Sequence, residues 1–434
     1  MNSWRPTPGL LRAVFVAGFG AIAALAVGSP AVVVLVAPLM VWIAIALRAR
    51  PSYLPEPQAT IAHHTLIEGQ GTRSMLRLGD PEAVAEIEHV VRVSGAAPYL
   101  ATHPANGVVG GLAATTGGTI ELSPRRWGRR EIPDGKVAVT SAWAGFRFGP
   151  VVLPGFELFA LPTAAPFRAH GEAPQPLGLV GSNRSRRVGE GTEFAGIRGF
   201  HAGDRLRRVN WRVSLRTGAL HVVTTRAEQD SGVLIVVDAL ADHGASQGID
   251  GHASSLDVTV RAAAALAEHH LRVGDRVALR VIEWKGNIVV NAGTGERHLR
   301  RLLGTLARIR PGDQPGRDLS HQPIRVSPGT VVFVLSPMLH ESVVTVTGVL
   351  ARHGLPVMVI DTLPDDVRPI DETAGHDARV AELAWRMRRA DREALLESVA
   401  RSGTPVVTWR GPGTLDEVLH RLARRASLPR QVVR

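Results

Sequence analysis

The sequence predicts three structural parts: an N-terminal pair of membrane-spanning helices, a β-rich sandwich-like domain, and a C-terminal α/β domain built on a doubly wound sheet. Between Arg12 and Arg48 no side chain carries a charge. Past residue 60, short runs of alternating apolar and polar residues lie between closely spaced Gly and Pro, which is typical of strands. From residue 231 onward, strand-like apolar runs alternate with helix-length segments, which favours a mainly parallel sheet. The predicted domains are 1–50, 51–180, a connector at 181–230, and 231–434.

The charge-free stretch is too long for one membrane span. As a single helix it would extend about 50 Å at ~1.5 Å per residue, whereas a bilayer core is ~30 Å thick. Gly28-Ser29-Pro30 interrupts it, with glycine placed to end one helix and proline to begin the next. We therefore predict a helical hairpin with spans at about 10–27 and 31–47.

The flanks of the hairpin predict its orientation. Arg5 and Arg12 precede the first span, and Arg48 and Arg50 follow the second. Because positive charge stays on the cytoplasmic side, both ends and the bulk of the chain are expected in the cytoplasm. The alternative for the first span is a cleaved signal peptide. The second apolar run would still remain as a span.

Composition excludes several functional classes. The chain has no cysteine, which removes disulfides, thiolate metal sites and cysteine nucleophiles. Its formal net charge of +11 comes almost entirely from arginine, since Lys136 and Lys285 are the only lysines. Arginines do not interleave with aromatic residues as a single-strand-binding platform requires. Attraction to an anionic membrane surface explains the positive charge better than nucleic-acid binding does.

The segment of residues 60–180 is predicted to form a small antiparallel β-sandwich. Ile87 to Val93 and Lys136 to Val139 show the two-residue period of half-buried strands. A basic cluster, Arg125 to Arg130, lies between two of these strands. We interpret it as a solvated turn with Trp127 folded onto the sheet.

The C-terminal half predicts an ordered series of strands and helices. Val233 to Val237 is a continuous apolar run that ends at Asp238, as expected of a parallel strand buried on both faces. One antiparallel hairpin is expected within the otherwise parallel sheet. The predicted elements are strand 233–237, helix 255–272, strands 276–283 and 287–291, helix 297–309, strand 330–335, helix 341–353, strand 356–361, helix 378–401, strand 405–409 and helix 414–425.

The most distinctive sequence lies in the connector. Asp204, at a Gly-Asp turn, is a candidate to accept backbone N–H groups or to pair with Arg207. On a short helix Arg207 and Trp211 would share a face, four residues apart. From composition alone, the favoured interpretation is a folded connector held by buried arginine pairs.

The spacing of this segment resembles the signature of the bacterial family called domain of unknown function fifty-eight. Phe200 stands where that family usually has tyrosine, and Leu215 where alanine is common, so any role of the tyrosine hydroxyl is absent here. Arg125 to Gly128 and Gly155 to Phe159 resemble flanking features of the family more loosely. The matching residues are Arg198, Phe200, Gly203, Asp204, Arg207, Trp211, Ser214, Arg216, Gly218, Leu220 and Val222.

The resemblance implies a von Willebrand factor type A-like fold for the C-terminal domain, with a metal-ion-dependent adhesion site at the carboxyl ends of the strands. Such a site needs carboxylate and hydroxyl oxygens around a hard cation. The matching positions are Asp238, Leu240 and Asp242, and leucine offers no ligand atom. The later loop, Leu335-Ser336-Pro337-Met338, has no carboxylate either. We therefore expect a degenerate site without metal.

No catalytic motif is found, and no cofactor is expected. We predict a non-enzymatic scaffold or adaptor, anchored in a bacterial inner membrane, that binds proteins on the cytoplasmic side. The family resemblance implies a MoxR-type AAA+ ATPase as partner and a role in assembly or maturation of other complexes. One alternative is a metal-dependent receptor with a non-standard site, which calorimetry with divalent cations would reveal. Another is a nucleic-acid binder using residues 184–216, whose affinity would fall steeply with salt. Candidate ligands for the non-standard metal site are Asp242, His243, Asp250 and His252.

Overall fold

The computed structural model describes residues 3–112, 118–163, 188–201, 204–226, 232–284, 286–310, 326, 330–367, 378–411 and 413–414. The chain divides into two compact units. The first comprises Met1–Thr163 with Gln247–His252 and Leu306–Arg308, and the second comprises Ala164–Ser246, Ala253–Thr305 and Ile309–Arg434.

Two apolar helices, α1 (Pro8–Val27) and α2 (Pro30–Arg48), open the first unit. The hydroxyl of Thr7 caps α1 by accepting the N–H of Leu10, and Gly28 ends it in the left-handed conformation. The break therefore falls at the predicted Gly-Ser-Pro sequence. Both helices are long and apolar enough to cross a membrane, and most of their side chains face outward. The N-terminal hairpin is thus present as two helices with membrane-compatible length and composition.

The rest of the first unit is rich in β-structure. Its strands form a five-stranded sheet (β1-β11-β10-β5-β7), a four-stranded sheet (β2-β4-β8-β6) and a three-stranded sheet (β3-β12-β9). A five-residue helix, α3 (Pro81–Ala85), precedes β5. The strands are β1 (Arg5–Pro6), β2 (Gln58–Ile61), β3 (Thr65–Ile67), β4 (Thr72–Arg77), β5 (Ile87–Val93), β6 (Leu100–His103), β7 (Val108–Leu112), β8 (Ile120–Pro124), β9 (Gly128–Ile132), β10 (Gly135–Ser141), β11 (Phe146–Leu153) and β12 (Phe156–Leu161).

Strand β5 shows which residues of an alternating sequence face the protein interior and which face solvent. Val90 is buried, but the next inward position is Arg92, while Val91 and Val93 face solvent. The buried guanidinium donates to the carbonyl oxygens of Ser74 and Gly118. A charged side chain is tolerated there because the fold supplies acceptors that the strand pattern does not reveal.

The elements after residue 188 begin with a two-stranded antiparallel ribbon of β13 and β14. A six-stranded sheet follows in the order β17-β16-β15-β18-β19-β20, parallel except for the antiparallel pair β16-β17. These elements are β13 (Val188–Gly199), α4 (Trp211–Thr217), β14 (His221–Arg226), β15 (Gly232–Asp238), α5 (Ser255–Val273), β16 (Arg276–Glu283), β17 (Gly286–Gly293), α6 (Gly295–Leu306), β18 (Val331–Ser336), α7 (Glu341–Arg352), β19 (Val357–Asp361), α8 (Ala378–Arg401) and β20 (Val406–Thr408).

The apolar run Val233 to Val237 is buried throughout and forms the central strand β15, as its continuous hydrophobicity predicts. The strand and helix order predicted for residues 233–409 is confirmed, with ends that differ by a few residues. The predicted helix 414–425 lies almost wholly outside the described residues. The carboxyl ends of the parallel strands β15, β18 and β19 meet at one edge of this sheet.

Candidate functional site

The signature segment folds as the β13-β14 ribbon with a 3₁₀ turn (Leu206–Arg208) and α4 between its strands. Arg198 binds Asp204 through two hydrogen bonds of 2.7 Å each, one to each carboxylate oxygen. The backbone N–H of His201 also donates to Asp204. The Arg198 guanidinium and then this N–H lower the pKa of Asp204 to about 2.

The prediction that Asp204 accepts a backbone N–H is confirmed by the His201 contact. The alternative, a pair with Arg207, is wrong, because Arg198 holds the carboxylate. Arg207 and Trp211 also do not share a helix face. Arg207 belongs to the 3₁₀ turn, and Asn210 then adopts an extended backbone and caps α4, which begins at Trp211. The cap separates the two residues into different elements, since an N-cap residue cannot continue a preceding helix.

Three further signature positions fix α4 to the ribbon. The Ser214 hydroxyl donates to the carbonyl of Asn210 and accepts the N–H of His221. Gly218 ends α4 with φ of +71°, where a side chain would be strained. Val222 is buried and forms a bridge with Val209. These contacts explain Ser, Gly and Val at their positions as structural requirements.

The outward face of α4 has a different character. Trp211 is 62% exposed and Leu215 is 83% exposed, and the two lie one turn apart on the same face. Arg212 and Arg216 are exposed beside them. We call these four residues the α4 surface. Two of the remaining signature residues contact each other, since the Phe200 N–H donates to the carbonyl of Leu220. The Leu220 side chain is 43% exposed. Gly203 lies outside the described residues.

The second candidate region is the carboxyl edge of the six-stranded sheet. Asp238 is only 2% exposed and accepts two hydrogen bonds, from the Ser336 hydroxyl at 2.6 Å and from the Leu240 N–H at 3.1 Å. Burial raises the pKa of Asp238. Leu240 is fully buried among apolar residues, and Asp242 accepts the N–H of Leu256 near the start of α5.

The neighbouring strand ends in Asp361, which sequence reasoning did not single out. Its carboxylate forms an ion pair with Arg392 of α8, and both side chains are less than 10% exposed. Arg392 also donates through Nε to the carbonyl of Pro337 at 2.6 Å. Burial of this arginine could not be read from the sequence, because its partners Asp361 and Pro337 are distant along the chain.

Two histidines and two tryptophans lie at the same edge. His243 is 5.9 Å from Trp385 and 6.5 Å from His340 between ring centroids, and His340 packs edge-on against Trp284. The Nε2 atoms of both histidines are buried without a hydrogen-bond partner. Burial, followed by the positive charge of Arg388, lowers the pKa of His243 to about 4. Burial likewise lowers the pKa of His340.

The residues at this edge do not fit the divalent cation that an adhesion site would hold. Both Asp238 oxygens are already occupied, Leu240 supplies no ligand, and Arg392 neutralises Asp361 where a cation would otherwise do so. Among the described residues no group of three or more His, Asp or Glu side chains could hold a metal ion. Of the non-standard candidates, Asp250 pairs with Arg125 in the first unit.

In the comparison with known proteins, one family model matches a region that includes the signature segment and most of the six-stranded sheet. None of the curated proteins matches the chain. Residues 196–368, which extend from within β13 to beyond β19, match the family described as "Protein of unknown function DUF58".

Proposed function

We propose that this protein is a non-enzymatic scaffold or adaptor, anchored in a bacterial inner membrane by α1 and α2, with both chain ends and its bulk in the cytoplasm. In this proposal the β-rich sheets form a sandwich-like domain and the six-stranded sheet a von Willebrand factor type A-like domain. The partner is a MoxR-type AAA+ ATPase, and the role is assembly or maturation of other protein complexes.

The main support for a protein-binding role is the exposed α4 surface. An exposed tryptophan costs solvation free energy unless a partner covers it, and Trp and Arg are the residues that contribute most at protein interfaces. The inward contacts of Ser214 and Val222 hold α4 rigidly, so little conformational entropy is lost on binding. Rigid presentation of Trp211 and Leu215, with Arg212 and Arg216 along one side of them, suits an apolar pocket with an acidic residue at one edge.

The carboxyl edge of the sheet supports the non-enzymatic part of the proposal. In open α/β sheets, ligands and reacting groups usually bind at this edge. Here Asp238 and Asp361 are each satisfied by groups of the same chain. A carboxylate already engaged by a buried arginine or hydroxyl is poorly placed to act on a substrate.

Replacing Trp211 and Leu215 by serine should weaken ATPase binding by about 30-fold or more, because one lost interface tryptophan typically costs at least about 2 kcal/mol. The measurement is co-purification and titration of the ATPase from the same cell with the full-length protein in detergent. The altered side chains are solvent-exposed, so the fold should be retained.

A matched control is the pair Trp143→Ser and Leu54→Ser, since these side chains are 57% and 55% exposed elsewhere in the chain. The control protein should bind the ATPase as the wild type does. If the wild-type protein binds no ATPase, the adaptor proposal fails. If both serine proteins bind equally, the α4 surface is not the contact.

A further inference from the structure

Helix α8 has two faces with different surroundings. Trp385 packs against Leu339, Leu363 and Val367, and its indole N–H donates to the Val367 carbonyl. Further along the same face, Arg392 is buried and Val399 lies in the core of the sheet. This inward face holds α8 against the six-stranded sheet.

The opposite face is apolar as well. Val380 is 60% exposed, Leu383 51% and Met387 70%, and Ala390 and Ala394 continue the exposed row. These five positions are spaced alternately three and four residues apart, which is the a/d period of a coiled-coil seam. A helix that packs on one sheet needs only one apolar face, so this second stripe lacks an explanation within the described residues.

Charges beside the stripe indicate what covers it. With Val380 and Met387 at a positions, Arg386 occupies a g position, Asp391 an e position and Glu393 the next g position. In a parallel pair of helices g faces the following e of the other copy, and in an antiparallel pair g faces g. Arg386 of one copy therefore meets Asp391 of the other in a parallel pair. In an antiparallel pair it meets Glu393 in the register that places these two g positions opposite each other, and this register avoids facing Arg386 with Arg386.

Within one chain these charges are only weakly engaged. Arg386 pairs with Glu382 one turn away, and both side chains are more than half exposed. Such a surface pair contributes at most about 1 kcal/mol, so exchanging it for a contact between copies costs little. Among the described residues, Asp391 and Glu393 form no ion pair.

We propose that the outward stripe of α8 is the contact through which two copies of this chain associate, seam against seam, with Arg386 of each copy facing an acidic residue of the other. The self-association is independent of the ATPase partnership, because it uses a different helix. A twofold pair buries the same stripe on both copies, as isologous dimers do.

The absence of cysteine makes a direct test available in the full-length protein. Met387→Cys lies near the middle of the stripe and should form an intermolecular disulfide in isolated membranes treated with a mild oxidant. We expect at least 10-fold more linked dimer than with Glu382→Cys, an exposed position on the same helix but outside the stripe. Disulfide formation by Val380→Cys then distinguishes parallel from antiparallel pairing of the two α8 helices, because only parallel helices bring the two copies of this residue together.

Charge reversal tests the specificity of the contact. In the Met387→Cys protein, Arg386→Glu should reduce disulfide formation several-fold. Adding Asp391→Lys and Glu393→Lys should restore it. All three side chains are exposed, so these changes leave the fold in place.

The proposal is overturned if Met387→Cys and Glu382→Cys form equal amounts of disulfide-linked dimer. It is also overturned if Arg386→Glu reduces the disulfide and Asp391→Lys with Glu393→Lys does not restore it. If lipid or another part of the same chain covers the stripe instead, no intermolecular disulfide exceeds the control. That outcome would leave the ATPase-adaptor proposal untouched, since its binding assay depends on α4.

Discussion

Replacement of Arg392 by leucine should lower the midpoint of thermal unfolding by about 6 to 20 °C. Removing one partner of a buried ion pair typically costs about 3–5 kcal/mol, because the remaining charge stays in a medium of low dielectric constant. For a domain of about 150–250 residues, each kcal/mol shifts the midpoint by about 2–4 °C. Asp361 would be left with only the Leu363 N–H as a described donor. Tryptophan fluorescence during heating of the full-length protein in detergent provides the measurement.

Two comparison proteins make this result specific. Arg300→Leu removes an exposed arginine from α6 and should shift the midpoint by about 2 °C or less, since its pair with Glu296 is solvent-screened. Arg392→Leu combined with Asp361→Asn removes the buried charge while retaining an acceptor for the Leu363 N–H. This double variant should recover a large part of the lost stability. An unchanged midpoint for Arg392→Leu would contradict the buried pair.

The second large effect is loss of stability in mild acid through His243. Its pKa in the folded protein is lowered from 6.5 to about 4, whereas in the unfolded chain it returns to the ordinary value. Between about pH 6.5 and pH 4 the unfolded state therefore binds more protons, and the free energy of unfolding falls as the pH is lowered. At ~1.4 kcal/mol for each pKa unit, His243 accounts for about 3 kcal/mol of this loss.

The variant His243→Phe isolates this effect because it retains an aromatic ring beside Trp385 and removes the proton-binding group. At pH 8 the imidazole is neutral in both states, so the two proteins should differ there only in packing. Between pH 6.5 and 4 the variant should lose about 3 kcal/mol less stability than the wild type. The raised pKa of Asp238 acts in the opposite direction, since the folded state then takes up a proton first. Identical pH profiles would show that His243 is not the acid-sensitive group.

The sequence was most informative where structure follows from neighbouring residues. Gly28 and Pro30 mark the break between α1 and α2, because capping and helix initiation are local properties of the backbone. The unbroken apolar run of β15 likewise predicts a strand buried on both faces. Leu240 offers no ligand atom to a cation, which its side-chain type alone determines.

The partners of charged groups could not be predicted in this way. Several arginines lie within a few residues of Asp204 along the chain, and the path of the β13-β14 ribbon brings Arg198 and not Arg207 to its carboxylate. Arg92 follows the strand alternation inward, yet its acceptors come from β4 and from the turn before β8. The strand pattern alone gave no indication that a charge would be accommodated there.

By itself the sequence determined the two apolar helices, the order of strands and helices between residues 233 and 409, and the lack of a ligand atom at Leu240. These properties depend on residue spacing, backbone preference and side-chain type. Only the tertiary structure decided that Arg392 neutralises Asp361 and that His243 lies beside Trp385 with its Nε2 atom buried. Both contacts join segments that are distant in sequence, and burial changes the energy of a charged group only after folding has removed it from water.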